Sequence, residues 1–389
     1  MSNKLKKFEI FKGEDFIETK GNFTAEEIIQ QPQMWLETAQ ILAGKLPEIT
    51  EFMNRCLDRP VLRVCLTGAG SSGYCGEVVS AASIEHLGYK SYAPHTTDIV
   101  GSPETVLYKD VPTLLISFGR SGNSPESVGA VEYARKYITD LFEICVTCAK
   151  DSSLAKISEG KENVMQIVLP DKTCDKGFAM TSSFSSMAVA AYGILSYKNF
   201  AEFKNNITNL ASAVSSSINN LCLVAQKAIA EKSFDRMAVL GAGILKGMSR
   251  EASLKMCELT AGAVNVVSET PMGFRHGPKS MITDDTFIIH MISNNPMTKK
   301  YDIDLLKELL AHKHENRIIT ISGTPLDIPG IDYEVVFNNE FSNDFYFSVA
   351  SVVFGQIFAF LKSQSMGITT DNPCPSGEVN RVVKGVTIY

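Results

Sequence analysis

Two stretches of this chain repeat one pattern, and the repeat limits the possible folds more than any other feature. An apolar run leads into Gly68-Ala-Gly70, and another leads into Gly241-Ala-Gly243 in the same way. The interval between these turns recurs downstream, because residues 114–117 match residues 287–290. Each half alternates strand and helix. This predicts an α/β fold with two tandem domains, each a doubly wound parallel sheet flanked by helices.

The length of 389 residues also exceeds the usual size of a single hydrophobic core, which favours two domains. We assign an N-terminal helical segment to residues 1–50, the first domain to 51–210, the second to 211–370, and a C-terminal tail to 371–389. Thr24-Ala-Glu-Glu27 is a candidate capping box in the helical segment.

Composition argues against several classes of partner. The net charge is −6 and there is no long Lys/Arg run, so neither nucleic acid nor a membrane surface is an expected partner. The N-terminus lacks a signal-peptide core. We identify no apolar stretch of about 18 or more residues, so no membrane span is expected. Nine cysteines, mostly in apolar segments, indicate a reducing cytoplasm. The lone Cys145-Val-Thr-Cys148 pair is not expected to bind a metal.

Residues 119–124, Gly-Arg-Ser-Gly-Asn-Ser, follow an apolar strand and precede a helix predicted over residues 125–137. Such a turn gathers unpaired N–H groups at the positive end of a helix dipole, and its glycines allow a ligand close to the backbone. The candidate ligand-binding side chains are Arg120, Ser121, Ser124 and Ser127. We predict that they bind an anion with several oxygens, such as phosphate. A turn with a serine N-cap is the plain alternative.

Gly68-Ala-Gly-Ser-Ser-Gly73 formally has the spacing of a dinucleotide-binding turn. That site also needs an acidic residue about twenty residues further on, and no carboxylate occurs there before Asp98. We therefore expect no nicotinamide or other cofactor. Ser71 and Ser72 are instead predicted to form a second wall of the phosphate pocket.

Six segments, taken in order and spacing, carry a resemblance to a known family: residues 27–32 (EIIQQP), 68–72 (GAGSS), 117–124 (SFGRSGNS), 250–258 (REASLKMCE), 275–278 (RHGP) and 372–381 (NPCPSGEVNR). With them the chain resembles the sugar isomerase (SIS) domain family over nearly its whole length. It is most similar to the AgaS-type tagatose-6-phosphate ketose/aldose isomerases and galactosamine-6-phosphate deaminases. It also resembles the isomerase half of glucosamine-6-phosphate synthase.

The resemblance implies roles for single residues. Ser72, Ser121 and Ser124 would bind the sugar phosphate, with the other residues of the two turns nearby. Glu258 matches the proton-shuttling carboxylate of the synthase, and Lys255 is included as a substrate-binding residue. In the C-terminal half, His276 matches the ring-opening histidine, which in the synthase reaches across a dimer interface. Lys384 matches a lysine of the tail that closes over the sugar.

Three departures from the synthase pattern stand out. Gly119 replaces a serine, so the phosphate cradle is not identical. The stretch from Glu258 to His276 is about two residues longer. Phe178-Ala-Met-Thr181 replaces a smaller and more polar segment, which bears on recognition around C2 of the sugar.

Aldose–ketose interconversion needs a base near C1 and C2, an acid that opens the ring, and a group that holds the phosphate. Glu258 and His276 supply the first two, and no metal is required. His312-Lys-His314 is not expected to bind one. Spacing alone leaves an alternative open, because Glu251, Lys255 and Glu258 at i, i+4 and i+7 are also typical of a solvated salt-bridge ladder.

The expected reaction converts galactosamine 6-phosphate to tagatose 6-phosphate and ammonia. The chain starts with no glutaminase domain, and Ser2 replaces the cysteine nucleophile of one, so ammonia from glutamine is not expected. Two alternatives stay open, an isomerase of a neutral hexose 6-phosphate and a non-catalytic sugar-phosphate sensor. A shared active site would require a homodimer or a larger homo-oligomer.

Overall fold

A computed structural model describes residues 22–88, 91–383 and 385–389 of the chain. They form two compact units, each named here for the half of the sequence that supplies its sheet. The N-terminal unit comprises Gln33–Asp175, Met180–Ile207 and Ser376–Tyr389, and the C-terminal unit comprises residues 22–32, Lys176–Ala179 and Thr208–Pro375. The domain boundaries expected from the sequence remain a prediction.

The sheet of the N-terminal unit has four parallel strands in the order β1-β2-β3-β4: β1 Arg63–Thr67, β2 Thr113–Gly119, β3 Leu141–Thr147 and β4 Val164–Val168. Tyr92 forms a single bridge with Cys65 on the far side of β1. The chain thus visits both sides of β1, and the carboxyl ends of β1 and β2 flank the point where strand order reverses. Ligands of open α/β sheets bind at such points.

Helices cover this sheet, and strand β2 is therefore buried along its whole length. They are Leu46–Leu57, Ser71–Ala82, Ile84–Leu87, Thr96–Gly101, Pro103–Val106, Pro125–Tyr137, Ser153–Ser158 and Ser182–Leu195, with short 3-10 turns at Asp171–Thr173 and Tyr197–Asn199. Helix Pro125–Tyr137 packs Ala130 and Ala134 into a core cluster with Leu115 of β2.

The sheet of the C-terminal unit has five parallel strands in the order β6-β5-β7-β8-β9: β5 Arg236–Leu240, β6 Asn265–Glu269, β7 Thr286–Met291, β8 Arg317–Ser322 and β9 Tyr333–Val336. Its helices are Asn22–Ile29, Leu245–Leu259, Pro271–Phe274, Pro296–Ala311 and Asp344–Ser365, with a 3-10 turn at Pro278–Met281. The boundary between the units falls within helices Gln31–Gly44 and Phe200–Glu231. The expected fold class is confirmed.

Helix Asp344–Ser365 is the core helix of the C-terminal unit. In the part of the chain that the structure describes, it is the one helix long and apolar enough to cross a bilayer, and its apolar window is wholly buried in the protein. The expectation that the sequence holds no apolar stretch of this length was therefore wrong. A helix that is apolar all round is equally what a protein core requires.

The predicted capping box at Thr24 is also wrong. Thr24 lies inside helix Asn22–Ile29, and its backbone N–H and hydroxyl donate to Asp371 Oδ1 over 2.9 and 2.6 Å. Glu27 bonds elsewhere, to backbone N–H groups that follow Asp175. The part of the predicted helical segment before residue 22 lies outside the described residues.

Candidate active site

The serine-rich turn runs from the last residue of β2 to the start of helix Pro125–Tyr137. Ser124 is the N-cap of this helix, and its hydroxyl accepts from the N–H of Ser127 over 3.3 Å and lies 2.7 Å from the Ser127 hydroxyl. Ser121 Oγ accepts from the N–H of Asn123 over 3.3 Å. The turn therefore contains the capping serine of the plain alternative, together with hydroxyl groups beyond the one that capping needs.

Glycine is required in this turn for steric reasons. Gly122 has φ +58°, and a Cβ there would lie 2.6 Å from Ser152 Oγ. A Cβ on Gly119 would lie 3.0 Å from the Gly122 Cα, closer than ordinary contact. The absence of the synthase serine at position 119 thus fits a turn that is folded tightly onto itself.

A second helix N-terminus follows the neighbouring strand β1. Gly70 has φ +56°, and helix Ser71–Ala82 begins directly after it. A Cβ on Gly68 would lie 2.5 Å from Ser72, so only glycine allows this close turn. Ser71 and Ser72 are buried in the first helical turn, and Ser72 Oγ lies 3.9 Å from Met180 Sδ. Two serine-bearing helix N-termini thus lie at the carboxyl ends of adjacent strands, an arrangement suited to a phosphate.

Arg120 is buried, and it bonds the C-terminal tail. Its Nη2 donates to the carbonyl of Arg381 over 2.6 Å, and Arg381 in turn donates to the carbonyl of Asp175. Further along, the Tyr133 hydroxyl donates to the carbonyl of Tyr389. The described tail is thereby attached to the serine-rich turn and to the helix that follows it. Lys384 lies outside the described residues.

Glu258 lies on helix Leu245–Leu259, near its C-terminal end. Lys255 Nζ lies 2.5 Å from Glu258 Oε2 and 3.3 Å from Glu251 Oε1. The side chains of Lys255 and Glu251 are 0% exposed, whereas that of Glu258 is 25% exposed. The alternative of a solvated salt-bridge ladder is therefore wrong. Burial acts to lower the pKa of Lys255, but the two carboxylates outweigh it and hold that pKa above its usual value.

Close helix packing accounts for this burial. A Cβ on Gly355 of the core helix would lie 2.8 Å from the Ala252 Cβ, so the two helices approach through small residues. A helix held this closely buries one whole face. Lys255 and Glu251 lie on the covered face, and Glu258 reaches its edge.

His276 lies in an exposed turn between helix Pro271–Phe274 and the 3-10 turn Pro278–Met281, and its N–H donates to the Gly273 carbonyl over 2.9 Å. The neighbouring Arg275 and Lys279 both pair with Glu308 of helix Pro296–Ala311, which fixes this turn. Among the described residues, neither a hydrogen bond nor an ion pair joins His276 to Glu258.

The turn after β7 corresponds by duplication to the serine-rich turn, but carboxylates occupy it. The N–H of Ser293 donates to Asp302 Oδ2 over 2.9 Å, and the Ser293 hydroxyl donates to Asp344. The N–H of Asn294 donates to Asp344 Oδ1 over 2.7 Å. These donors therefore serve side chains of the same unit.

Both cysteines of the C-x-x-C pair are buried. All nine cysteines of the chain are free, and burial raises the pKa of Cys145 to about 12. Burial also raises the pKa of Cys148, so neither thiol of the C-x-x-C pair readily forms the reactive thiolate. The described residues contain no group of three or more His, Cys, Asp or Glu side chains suited to a metal ion.

Sequence reasoning missed three features around these turns. Glu251 is a buried partner of Lys255, and Glu27 bonds the segment after Asp175. His95 Nε2 lies 3.2 Å from Glu77 Oε1, with its ring against Gly73. Glu77 and His95 lie in separate elements, so no local spacing signals their contact.

Comparison with known proteins identifies related sequences. Residues 59–195 match the SIS domain. The chain is 38% identical over 372 residues to D-galactosamine-6-phosphate deaminase AgaS of Shewanella sp. (strain ANA-3), covering 94% of this chain and 92% of that protein.

Solved structures give the same result. Tagatose-6-phosphate ketose/aldose isomerase from Escherichia coli has a TM-score of 0.88 at 32% identity, covering 95% of this chain and 96% of that one. The C-terminal domain of glucosamine-fructose-6-phosphate aminotransferase from Francisella tularensis shares the fold at 16% identity, with a TM-score of 0.74 and coverage of 90% and 98%. The chain belongs to the SIS-domain family, within the group that contains the AgaS deaminase.

Proposed function

We propose that this protein is an enzyme that converts galactosamine 6-phosphate and water to tagatose 6-phosphate and ammonia. The observation that carries the proposal is Glu258, a partly exposed carboxylate held by a buried ammonium at 2.5 Å, in a chain that also offers two serine-bearing helix N-termini. The name of the Shewanella relative supports the same substrate.

In this proposal the phosphate binds at the two helix N-termini. The binding residues are Ser71, Ser72, Arg120, Ser121, Ser124 and Ser127. Backbone N–H groups and hydroxyls suit phosphate because they donate hydrogen bonds at the positive end of the helix dipole. The phosphate fixes the sugar, so one carboxylate can serve both reacting carbons.

The proposed chemistry is a proton transfer through an enolamine. His276 donates a proton to the ring oxygen as the ring opens, and Glu258 removes the proton from C2. The C1 carbonyl oxygen takes up a proton from water as the enolamine forms. Return of the C2 proton to C1, with loss of a proton from the nitrogen to water, gives the imine of the ketose at C2. Water adds to this imine and the C–N bond breaks, which releases ammonia and leaves the ketone. Lys255 keeps the Glu258 carboxylate in place, and Lys384 is proposed to close over the sugar.

Isomerisation of a neutral hexose 6-phosphate is the second candidate. It uses the same proton transfer between C1 and C2, with an enediol in place of the enolamine. The structural relative from Escherichia coli, named a tagatose-6-phosphate ketose/aldose isomerase, favours this reaction. Ammonia release separates the two candidates.

A substrate panel tests the proposal. Galactosamine 6-phosphate, glucosamine 6-phosphate and tagatose 6-phosphate are incubated with the protein, and ammonia and ketose or aldose are measured. We expect ammonia from galactosamine 6-phosphate. Turnover of tagatose 6-phosphate without ammonia from either amino sugar would indicate the isomerase, and binding without any turnover would contradict both enzymes.

Glu258→Gln tests the proton shuttle. The amide keeps the shape but cannot accept a proton, so kcat should fall by about 100-fold or more while substrate binding stays near its wild-type value. Glu334→Gln, at an exposed carboxylate of the same unit, is the control and should keep full activity. Wild-type kcat in Glu258→Gln would remove this residue from the mechanism.

We further propose that the enzyme works in the cytoplasm as a homodimer or larger homo-oligomer, with His276 acting in the site of a neighbouring subunit. Nine free cysteines support a reducing compartment. The exposed position of His276 supports a role at a subunit interface.

A further inference from the structure

Glu27 is a buried carboxylate with an unusual set of partners. Its Oε1 accepts from the backbone N–H of Lys176 and, over 3.3 Å, from that of Gly177. Its Oε2 accepts from the same Gly177 N–H over 3.2 Å. A carboxylate that accepts from backbone N–H groups makes the stronger, charge-assisted kind of hydrogen bond. Glu27 therefore fixes the backbone at residues 176 and 177.

The same backbone fits closely against its surroundings. A Cβ on Gly177 would lie 2.8 Å from Thr24 Oγ1, 2.9 Å from Glu27 Oε2 and 3.3 Å from Asp371 Oδ1. Thr24 is itself bonded to Asp371 over 2.6 Å. These three polar side chains thus pack so closely against residue 177 that only a glycine can be accommodated there.

A second buried carboxylate holds the other end of this segment. Asp175 has no exposed surface and accepts from the N–H groups of Thr181, Ser182 and Ser183 over 2.8, 3.1 and 3.0 Å. Only residues 178–180 lie between the two anchored stretches. A connection this short has few conformations once both of its ends are fixed.

The last of these three residues, Met180, reaches the serine-bearing turn after β1. Met180 Sδ lies 3.9 Å from Ser72 Oγ, and the preceding Phe178 and Ala179 are buried and apolar. A ligand whose phosphate contacts Ser72 would therefore meet an apolar wall made by the side chain of Met180. Such a wall selects by shape and is effective only while it is held in place.

We propose that Glu27 is a positioning residue that fixes the backbone before residues 178–180, keeps Met180 beside Ser72 and thereby sets which sugar phosphate is accepted. The inference rests on the proposed function, since it specifies how that site chooses its substrate. Glu27 accepts hydrogen bonds from the backbone of Lys176 and Gly177, directly before this wall. Its loss should therefore weaken sugar recognition and leave the reacting groups unchanged.

Glu27→Gln is the test, with Glu26→Gln as the matched control. Glu26 is the preceding residue of the same helix, and its side chain is exposed. An amide has a single acceptor oxygen, so the variant keeps at most part of the hydrogen bonding. We expect the KM for galactosamine 6-phosphate to rise about tenfold, the preference over glucosamine 6-phosphate to fall, and kcat to change little. Glu26→Gln should match the wild type in all three.

A merely structural role would give another pattern. A smaller folded fraction lowers apparent kcat and leaves KM and the substrate preference unchanged. Gly177→Ala displaces the same backbone without removing a charge, and it should reproduce the KM effect. If Glu27→Gln keeps the wild-type KM and the wild-type preference for galactosamine 6-phosphate, the proposal is overturned. A lower kcat with no change in KM or preference would overturn it as well.

Binding measurements separate this inference from the proposed function. If the wild type turns over neither amino sugar, the deaminase proposal fails, and calorimetric titration then decides the role of Glu27. We expect Glu27→Gln to weaken binding of galactosamine 6-phosphate about tenfold while affinity for inorganic phosphate stays unchanged. Equal weakening of both ligands, or of neither, would refute a wall that selects the sugar.

Discussion

Asp302 is a carboxylic acid without exposed surface on helix Pro296–Ala311. Burial, together with the charge of Asp344, raises its pKa to about 7 from the usual 3.8, although the hydrogen bond from the Ser293 N–H offsets part of the shift. Asp302 and Asp344 both accept hydrogen bonds from Ser293. Between these two pKa values the folded protein therefore retains a proton that the unfolded chain releases.

This pKa shift predicts a pH-dependent stability difference. Between about pH 4 and pH 7 the folded state binds more protons than the unfolded state, so stability from this group falls as pH rises through that window. Asp302→Asn does not titrate. Its free energy of unfolding relative to wild type should rise from pH 5 to pH 8, by about 1.4 kcal/mol at most for each pKa unit crossed. Urea unfolding at both pH values measures the difference, and exposed Asp151→Asn is the control. Parallel changes in wild type and Asp302→Asn would contradict the assignment.

The sequence indicates which residues carry charge, but not which face of a helix is covered. The spacing of Glu251, Lys255 and Glu258 places all three on one helical face, and a solvated or a buried face gives the same spacing. The close packing of Ala252 against Gly355 buries this face. Those two residues are about a hundred positions apart, so no local pattern indicates their contact. Glu258 itself was accessible to sequence reasoning through resemblance, whereas the burial of its partners was not.

Among the local elements, the serine-rich turn depends on glycine for both its backbone conformation and its close packing. Gly122 has φ +58° and no room for a Cβ, whereas Gly88 has φ +66° with nothing within 4 Å of one. Comparison of alanine variants at these two positions therefore distinguishes the free-energy cost of a left-handed backbone from that of a steric clash.

Gly88→Ala should lower stability by about 1–2 kcal/mol, the cost of a left-handed residue with a side chain. Gly122→Ala should have the same backbone cost and should also displace the turn, because the added Cβ would lie 2.6 Å from Ser152 Oγ. We expect it to weaken binding of inorganic phosphate about tenfold, since donors at a helix N-terminus act only at hydrogen-bonding distance. Calorimetric titration of both variants measures this, and equal phosphate affinity in the two would argue against a phosphate site at this turn.

Strands and helices formed by an uninterrupted sequence pattern could be predicted from the sequence. The buried runs of β2 and β7 and the helices after them occur where the apolar pattern indicates. The described residues next to β1, from residue 91 onward, are less regular, since they contribute a single bridge from Tyr92 to Cys65. Pro94 follows closely and has no N–H to donate to a ladder, so a longer strand is disfavoured there.

Across the whole molecule, duplication has produced two similar sheets with different turns. The turn after β2 offers serine hydroxyls and a helix N-terminus, whereas the corresponding turn after β7 donates to Asp302 and Asp344. The repeat was visible in the sequence. The occupation of the second turn was not, because Asp344 is supplied by the core helix some fifty residues downstream. One phosphate site per chain, in the N-terminal half, is consistent with this divergence.

The shared-site proposal makes a prediction about mixed oligomers. If His276 serves the site of a neighbouring subunit, Glu258→Gln and His276→Asn chains are each inactive alone but complement each other when co-assembled. In a dimer, one of the two sites in each mixed pair then has both groups intact. Mixed dimers purified through both chains should therefore have about half of wild-type activity, and an unselected random mixture about a quarter.

Co-expression with two different affinity tags, purification and assay of galactosamine 6-phosphate turnover measure this recovery. Light scattering gives the mass of the assembly, and wild type co-expressed with Glu258→Gln is the control for subunit exchange. If His276 acts within its own chain, every site retains one defect and no activity returns. Recovery of activity therefore reports whether His276 acts in its own site or in that of a neighbouring subunit. A rearrangement of its turn within one chain is not expected, since Arg275 and Lys279 bind the turn to Glu308.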